Sequence, residues 1–371
     1  SMLKIILRIL ISFSFTFALF NSVNAAEVTQ LDEGVVAVDS RSTALRSQGI
    51  KQAFEDVILK NSGTQSALSN EKIKQQLNSA SSLMTQYGYF EQDSQLFLKV
   101  NFDHKRIINL LREAGLPVWG KQRPLTLVWL VNEHNGERDI LNDASTVEDR
   151  NVFNRESAAR GVPLLFPLMD LDDAMKVGVN DIRGQFTENV ANASLRYQAN
   201  YFVMATIAPQ GSGYQYQMAL YPREKDAQAL QMTSLVNHSG ESASADEAVA
   251  AMVGAISQYY VEQYAVADSG ERNTTKLTFS EVTDIRQLVA VERYLAQLSA
   301  IKHASIGKIQ GETVEFNVNL FGDEADLHRL MALDPRIGIL NPITESSLDY
   351  SSFEPIEASQ KETQIYYWKG Q

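Results

Sequence analysis

Residues 313–330 read TVEFNVNLFGDEADLHRL. Val314, Phe316, Val318 and Leu320 alternate with Thr313, Glu315, Asn317 and Asn319, the period-2 pattern of a strand with one covered and one polar face. Asp323 then stands where an N-cap belongs, ahead of Leu327, Leu330 and Met331 on one face of a helix. Working outward, Ile301–Ile309 is a second strand joined to the first across Gly311. Upstream, Lys276–Glu281 is a strand, and Asp284 caps a helix bearing Ile285, Leu288, Val291, Leu295 and Leu298. Ile337–Leu340 closes the unit. The order βαββαβ predicts a ferredoxin-like module over residues 271–345. Its core of two helices on four strands predicts that Lys276–Asn341 folds alone. In that topology the second and last strands lie at the edges, so Ser305 marks an edge strand open to a partner. The tail, residues 346–371, is polar and loosely held until Ile365-Tyr366-Tyr367-Trp368.

The rest of the chain divides by composition into two further α/β regions. Residues 26–120 hold a strand at Gly34–Val38 and a helix over Ser42–Lys60 ended by Asn61-Ser62-Gly63. A second helix follows over Glu71–Met84, then a strand at Gln95–Phe102 and a short helix at His104–Ala114. Residues 121–270 open with a buried strand, Pro124–Val131. A polar loop (His134–Ser145), a helix near Val147–Arg160, the run PLLFPLMDLDDA (Pro163–Ala174) and a helix from Asp181 to Tyr197 come next. A hairpin, Tyr201–Ala208 with Tyr214–Tyr221, turns across Gln210-Gly211-Ser212-Gly213. A strand near Met232–His238 and a helix at Ala245–Tyr264 complete a layered α/β middle domain. The whole is α+β / α/β, built of several small modules. A weak echo between LFLKVNFDHKRIINLL (Leu96–Leu111) and residues 313–330 reads as shared strand–Asp–helix architecture, with duplication as the alternative.

The first 25 residues read as a signal peptide. Lys4 and Arg8 precede an apolar run from Ile9 to Phe20 diluted by Ser12, Ser14 and Thr16, and Val23-Asn24-Ala25-Ala26 supplies small residues for cleavage between Ala25 and Ala26. The run is short of the roughly 20 apolar residues a spanning helix needs. No Cys follows it, so the expected product is a periplasmic protein that is not a lipoprotein. The chain has no cysteine at all, which suits an oxidising compartment and excludes thiol nucleophiles, Cys-ligated zinc and iron–sulfur clusters. Its net charge is −12, more negative once Lys4 and Arg8 leave. Without a basic stripe, that charge argues against nucleic acid and against flat binding to anionic lipid.

Few motifs point to chemistry. There is no Gly-x-Ser-x-Gly elbow. Ser69-Asn70-Glu71-Lys72 matches Ser-x-x-Lys but has no Lys-Thr-Gly companion, and Ser69 reads as a helix cap. Gly211-Ser212-Gly213 lacks the third glycine and the helix of a dinucleotide fingerprint. His104, His134, His238, His303 and His328 are scattered, with no i, i+4 zinc pair. No catalytic residue, metal ligand or cofactor is assigned. The remaining cluster is Asp170, Asp172 and Asp173. Crowded carboxylates at a strand end suit acid–base work or a cation. The plainer reading makes Asp170 or Asp172 the cap of a short helix running to Lys176.

Three stretches, GIKQAFEDVILKNSG (Gly49–Gly63), RGVPLLFPLMDLDD (Arg160–Asp173) and FTENVANASLRYQANYFVMATI (Phe186–Ile207), resemble the exported proteobacterial family known as domain of unknown function 2066. Asp181-Ile182-Arg183-Gly184 departs from the family pattern, which has an aromatic before the glycine. The resemblance implies an exported α/β protein and supplies no mechanism. Two functions are therefore expected. One is a non-catalytic periplasmic protein that binds another protein or an envelope assembly. The alternative is a small-ligand or metal-binding protein, or a hydrolase, using Asp170, Asp172 and Asp173 with a distant partner such as His134 or Arg183.

Overall fold

The computed structural model describes residues 30–223, 232–340 and 364–370; the leader, with Ala25 and Ala26, lies outside them. The class is α+β, built on three sheets. The first is antiparallel, in the order β1 (Glu33–Val38), β3 (Gln95–Phe102), β2 (Met84–Gln92). Helix α1 (Thr43–Ser62) covers it, burying Ile50, Ala53, Phe54, Val57 and Ile58. The Ser42 side chain caps its start and Gly63, in the left-handed region, ends it. Strand β2 falls partly where the sequence predicts the end of a helix. That helix, α2, stops at Leu77 (Glu71–Leu77), because Asn78-Ser79 and Ser81-Ser82 compete for backbone bonds and propagate a helix poorly. Helix α3 (His104–Glu113) closes the layer and is capped by the Asp103 side chain.

The second sheet runs β5 (Glu137–Ile140), β4 (Thr126–His134), β7 (Tyr201–Gln210), β8 (Gly213–Pro222), β9 (Val236–Ser242), with the two-residue β6 (Leu164–Leu165) beside the start of β4. Residues 126–132 of β4 are all buried. The strand lies between layers, with α4 (Glu148–Arg160) and α8 (Ala245–Tyr264) on one face. On the other face are α5 (Leu171–Lys176), α6 (Val179–Arg183) and α7 (Thr187–Ser194). Two details differ from the sequence reading. The supposed polar loop contains β5, which pairs with β4 across Asn135-Gly136, both at positive φ, the dipeptide that favours a tight hairpin. The single helix expected at Asp181–Tyr197 is broken at Gly184, where a Cβ would sit 2.6 Å from the Phe186 ring and 2.9 Å from the Asn180 carbonyl.

The third sheet is ordered β11 (Ile301–Gln310), β12 (Thr313–Leu320), β10 (Asn273–Ser280), β14 (Ile365–Trp368), β13 (Ile337–Leu340). Helices α9 (Ile285–Gln297) and α10 (Glu324–Leu333) cover one face, capped by Asp284 and Asp323 as the sequence indicates. The expected four-strand unit is corrected in one respect. The end of the tail is a strand wedged between β10, to which it is parallel, and β13, to which it is antiparallel. A fragment ending at Asn341 lacks this inner strand. The core of this sheet is also continuous with that under α8.

Candidate functional site

Asp170 caps α5, its side chain accepting from the Asp173 amide at 3.1 Å. The negative charge therefore sits where the helix dipole favours it. Arg196, just beyond α7, reaches back and grips Asp170 with two bonds of 3.1 and 2.9 Å. It also lies 3.6 Å from Asp172 and 3.7 Å from Asp173. Asp173 is only 1 % exposed. It accepts from the Met169 amide at 3.0 Å and from the Tyr197 hydroxyl at 2.5 Å. Tyr197 in turn accepts from the Leu168 amide at 2.8 Å. Burial, then the bond to Asp173, pushes the Tyr197 phenol up to about 12, so it stays a neutral donor. The structure thus gathers all three aspartates, around an arginine and a tyrosine that no spacing in the sequence marks. The carboxylates hold the turn at Met169, whose φ is +52°, and tie α5 to the end of α7.

Arg196 and the Asp173 amide hold the Asp170 carboxyl below its ordinary 3.8. A folded-state pKa below the unfolded one gives stabilisation that is complete above the unfolded value and lost as the pH falls through the folded one. Asp170→Asn keeps the cap and loses the charge. Its melting temperature is expected below the parent's at pH 7, with the gap closing as the pH falls through the ordinary carboxylate range and the lowered folded-state value. A gap that does not change with pH would remove the ion pair from the account.

His134 and Arg183 are not brought to this cluster. His134 lies 3.9 Å from the buried Asp149 instead, a carboxyl raised by desolvation and bonded by Asn132. A cleft of about 720 Å³ between α1 and α4 is lined by Asp56, Lys60, Arg155 and Arg160 and by none of Asp170, Asp172 and Asp173. Its cations are engaged: Lys60 donates to the Glu33 carbonyl at 2.7 Å, Arg160 meets Glu156 at 3.6 Å, and Arg155 meets Asp246 at 3.4 Å. Among the described residues no group of three or more His, Asp or Glu side chains is placed to hold a metal ion.

Ser305 lies on β11, at the edge of the third sheet, opposite Asn317. This strand is ten residues long, and every residue from Ser305 to Gln310 is exposed. Its pairing with β12 is interrupted between Ile301 and His303 and between Ile306 and Lys308, irregularities that twist an edge and discourage indiscriminate pairing. The outer face of the sheet is polar, with Lys276, Glu315, Asn317 and Asn319 alternating against the buried row. No helix among the described residues is long and apolar enough to cross a membrane.

Residues 274–368 match the family model DUF2066, a span reaching from the start of β10 to the end of β14. Residues 25–120 match a second model, Domain of unknown function (DUF8605). The three stretches that carry the family resemblance in the sequence lie outside the DUF2066 span, the first of them inside the DUF8605 one. No curated protein matches the chain. Among solved structures it is similar to the LpoB C-terminal domain from Salmonella enterica, at 15% identity and a TM-score of 0.19, over 32% of this chain and 82% of that one.

Proposed function

We propose that the protein works in the periplasm as a non-catalytic binding protein, engaging another envelope protein through the open edge of its C-terminal sheet. The observation that carries this reading is β11, an exposed strand whose outward backbone N–H and C=O groups face no other strand among the described residues. An edge of this kind recognises extended segments by strand addition. The irregular pairing keeps the edge from aggregating without covering it. The aspartate cluster supports the same reading, since its carboxylates are spent on the protein's own Arg196 and Tyr197.

The test is a photo-crosslinker in cells at His303, exposed on the same face of β11 as Ser305, combined with proline substitutions at the neighbouring positions. N–H groups along an antiparallel edge alternate between the neighbouring strand and solvent. Of Ala304→Pro and Ser305→Pro, one therefore removes an outward donor and the other a ladder bond. The variant that keeps the parent's melting temperature is expected to lose a discrete crosslinked band. Retention of that band by a folded proline variant would remove the edge from the function.

A further inference from the structure

The groove beside β11 defines its occupant more narrowly than an open edge does. Ile306 pairs with Phe316 and Ile309 with Val314, and directly opposed residues point to the same face. Both isoleucines therefore lie on the helix-covered side. Phe316 and Val314 are buried there, yet Ile306 is 39 % and Ile309 57 % exposed. Helix α9 packs against β11. The Val282 amide donates to the Glu312 carbonyl at 2.8 Å, which sets the start of α9 beside the β11–β12 turn. Ile285, the first residue of α9, is 71 % exposed. Ile306 and Ile309 thus leave an unfinished apolar strip beside the helix, with exposed Ile285 at the helix end nearest the β11–β12 turn.

The other face of β11 is polar and basic. His303, Ser305 and Lys308 stand opposite Asn319, Asn317 and Glu315, and the strand contains no acidic residue. Lys302 is held by Asp268 at 3.2 Å, and Glu315 is engaged by Lys276 at 3.3 Å. Lys308 has no ion-pair partner among the described residues.

Resting on the edge-strand reading above, we infer that the occupant of β11 is an extended segment of a partner protein with alternating apolar and acidic side chains. Its apolar row covers Ile285, Ile306 and Ile309, and its carboxylates meet Lys308. A second copy of this chain does not fit. Antiparallel self-pairing about Ser305 sets Lys302 of each copy against Lys308 of the other, and parallel in-register pairing sets each lysine beside itself. Like charges so placed oppose pairing.

The test uses the full chain and two labelled eight-residue peptides, one alternating Val with Glu and Thr, the other with Lys in place of Glu. Fluorescence anisotropy is expected to show the acidic peptide bound about fivefold tighter, the scale of one exposed ion pair, with Lys308→Glu inverting the order. The proline variant that stays folded should lose both peptides, and Ile309→Ser should weaken both without changing their ranking. If the folded proline variant loses both peptides while parent and Lys308→Glu bind them equally, the edge reading stands and the acidic occupant is overturned. If that variant binds the acidic peptide as the parent does, the edge reading itself falls. Absence of acidic-peptide binding to the parent, or concentration-dependent dimers that the proline substitution abolishes, also overturns the inference.

Discussion

Arg123→Met is expected to lose about 3–5 kcal/mol of stability in urea unfolding, the scale of breaking a compensated buried charge. Arg123 is 2 % exposed and, among the described residues, its guanidinium meets carbonyl oxygens and no carboxylate. Burial alone drives its pKa down, so the charge must be compensated by dipoles. Its guanidinium donates to five carbonyls: Gly120 at 3.0 Å, Arg160 at 3.1 Å, Gly161 at 3.0 Å, Lys60 at 2.7 Å and Trp119 at 2.9 Å. Lys60 is in the last turn of α1, and Arg160 and Gly161 end α4, so three acceptors sit at the negative ends of helix dipoles. The plane also stacks on Trp119, at 3.7 Å from the ring. Met fills much of the space but leaves those carbonyls dry and unbonded, at about 1–3 kcal/mol for an orphaned group before relaxation. Lysine keeps the charge without the planar fork and should recover only part of the loss. A fall smaller than about 1 kcal/mol would mean that water takes over the carbonyls.

The same contacts explain how the first two sheets are held together. The Trp119 amide donates to the Asn61 carbonyl at 2.7 Å, and the Asn61 side chain bonds the Leu31 and Val57 carbonyls. Val118 forms an isolated bridge with Val266. Gly161 is required at this joint: its φ is +64°, and a Cβ there would stand 2.5 Å from Arg123 Nη1. The C-terminal sheet shares the core under α8, so the β11 edge is presented on a packed body.

The sequence disclosed local structure well and long-range partners poorly. Alternation placed β3 and β12, and side-chain caps placed α1, α9 and α10, because those signals act within a few residues. Strand β2 went unseen because it is an exposed edge with the pattern Tyr87-Gly88-Tyr89-Phe90, whose rings meet Arg46, Arg41 and Phe97 across the surface. The aspartates were visible, and Asp170 as a cap followed from local rules. Arg196 was not, since it lies 26 residues from Asp170 and only the packing of α5 on α7 joins them. Arg123 was invisible for a related reason. Nothing in Lys121-Gln122-Arg123-Pro124 tells a surface arginine from one that receives the ends of two helices. The position of β11 at the end of its sheet among the described strands was legible because strand order alone determines it.

Ending the chain at Asn341 is expected to unfold the C-terminal sheet while the first sheet survives. Strand β14 is short, yet it is an inner strand: β10 and β13 do not pair with each other, and β14 is hydrogen-bonded to both. Tyr366 is 1 % exposed. Its ring packs 5.8 Å from Phe279 and 5.8 Å from His328, and its hydroxyl bonds the His328 ring. Trp368 packs 5.7 Å from Tyr294, with the Arg336 guanidinium over its face at 5.3 Å. Loss of one such buried aromatic costs about 3–5 kcal/mol. Losing Tyr366 and the half-buried Trp368, together with two ladders, approaches the total stability of an ordinary domain. Hydrogen exchange on the truncated chain should therefore show β10, β12 and β13 unprotected, with β1 and β3 unchanged. A synthetic peptide of residues 364–371 added in trans should restore protection, because the slot it fills is lined by Phe279, His328 and Tyr294. Gly338, which faces the Tyr367 ring with no room for a Cβ, supplies a control: Gly338→Val should weaken the rescue. Native protection in β10 and β13 of the truncated chain would show that the four-strand unit is self-sufficient and that β14 only caps it.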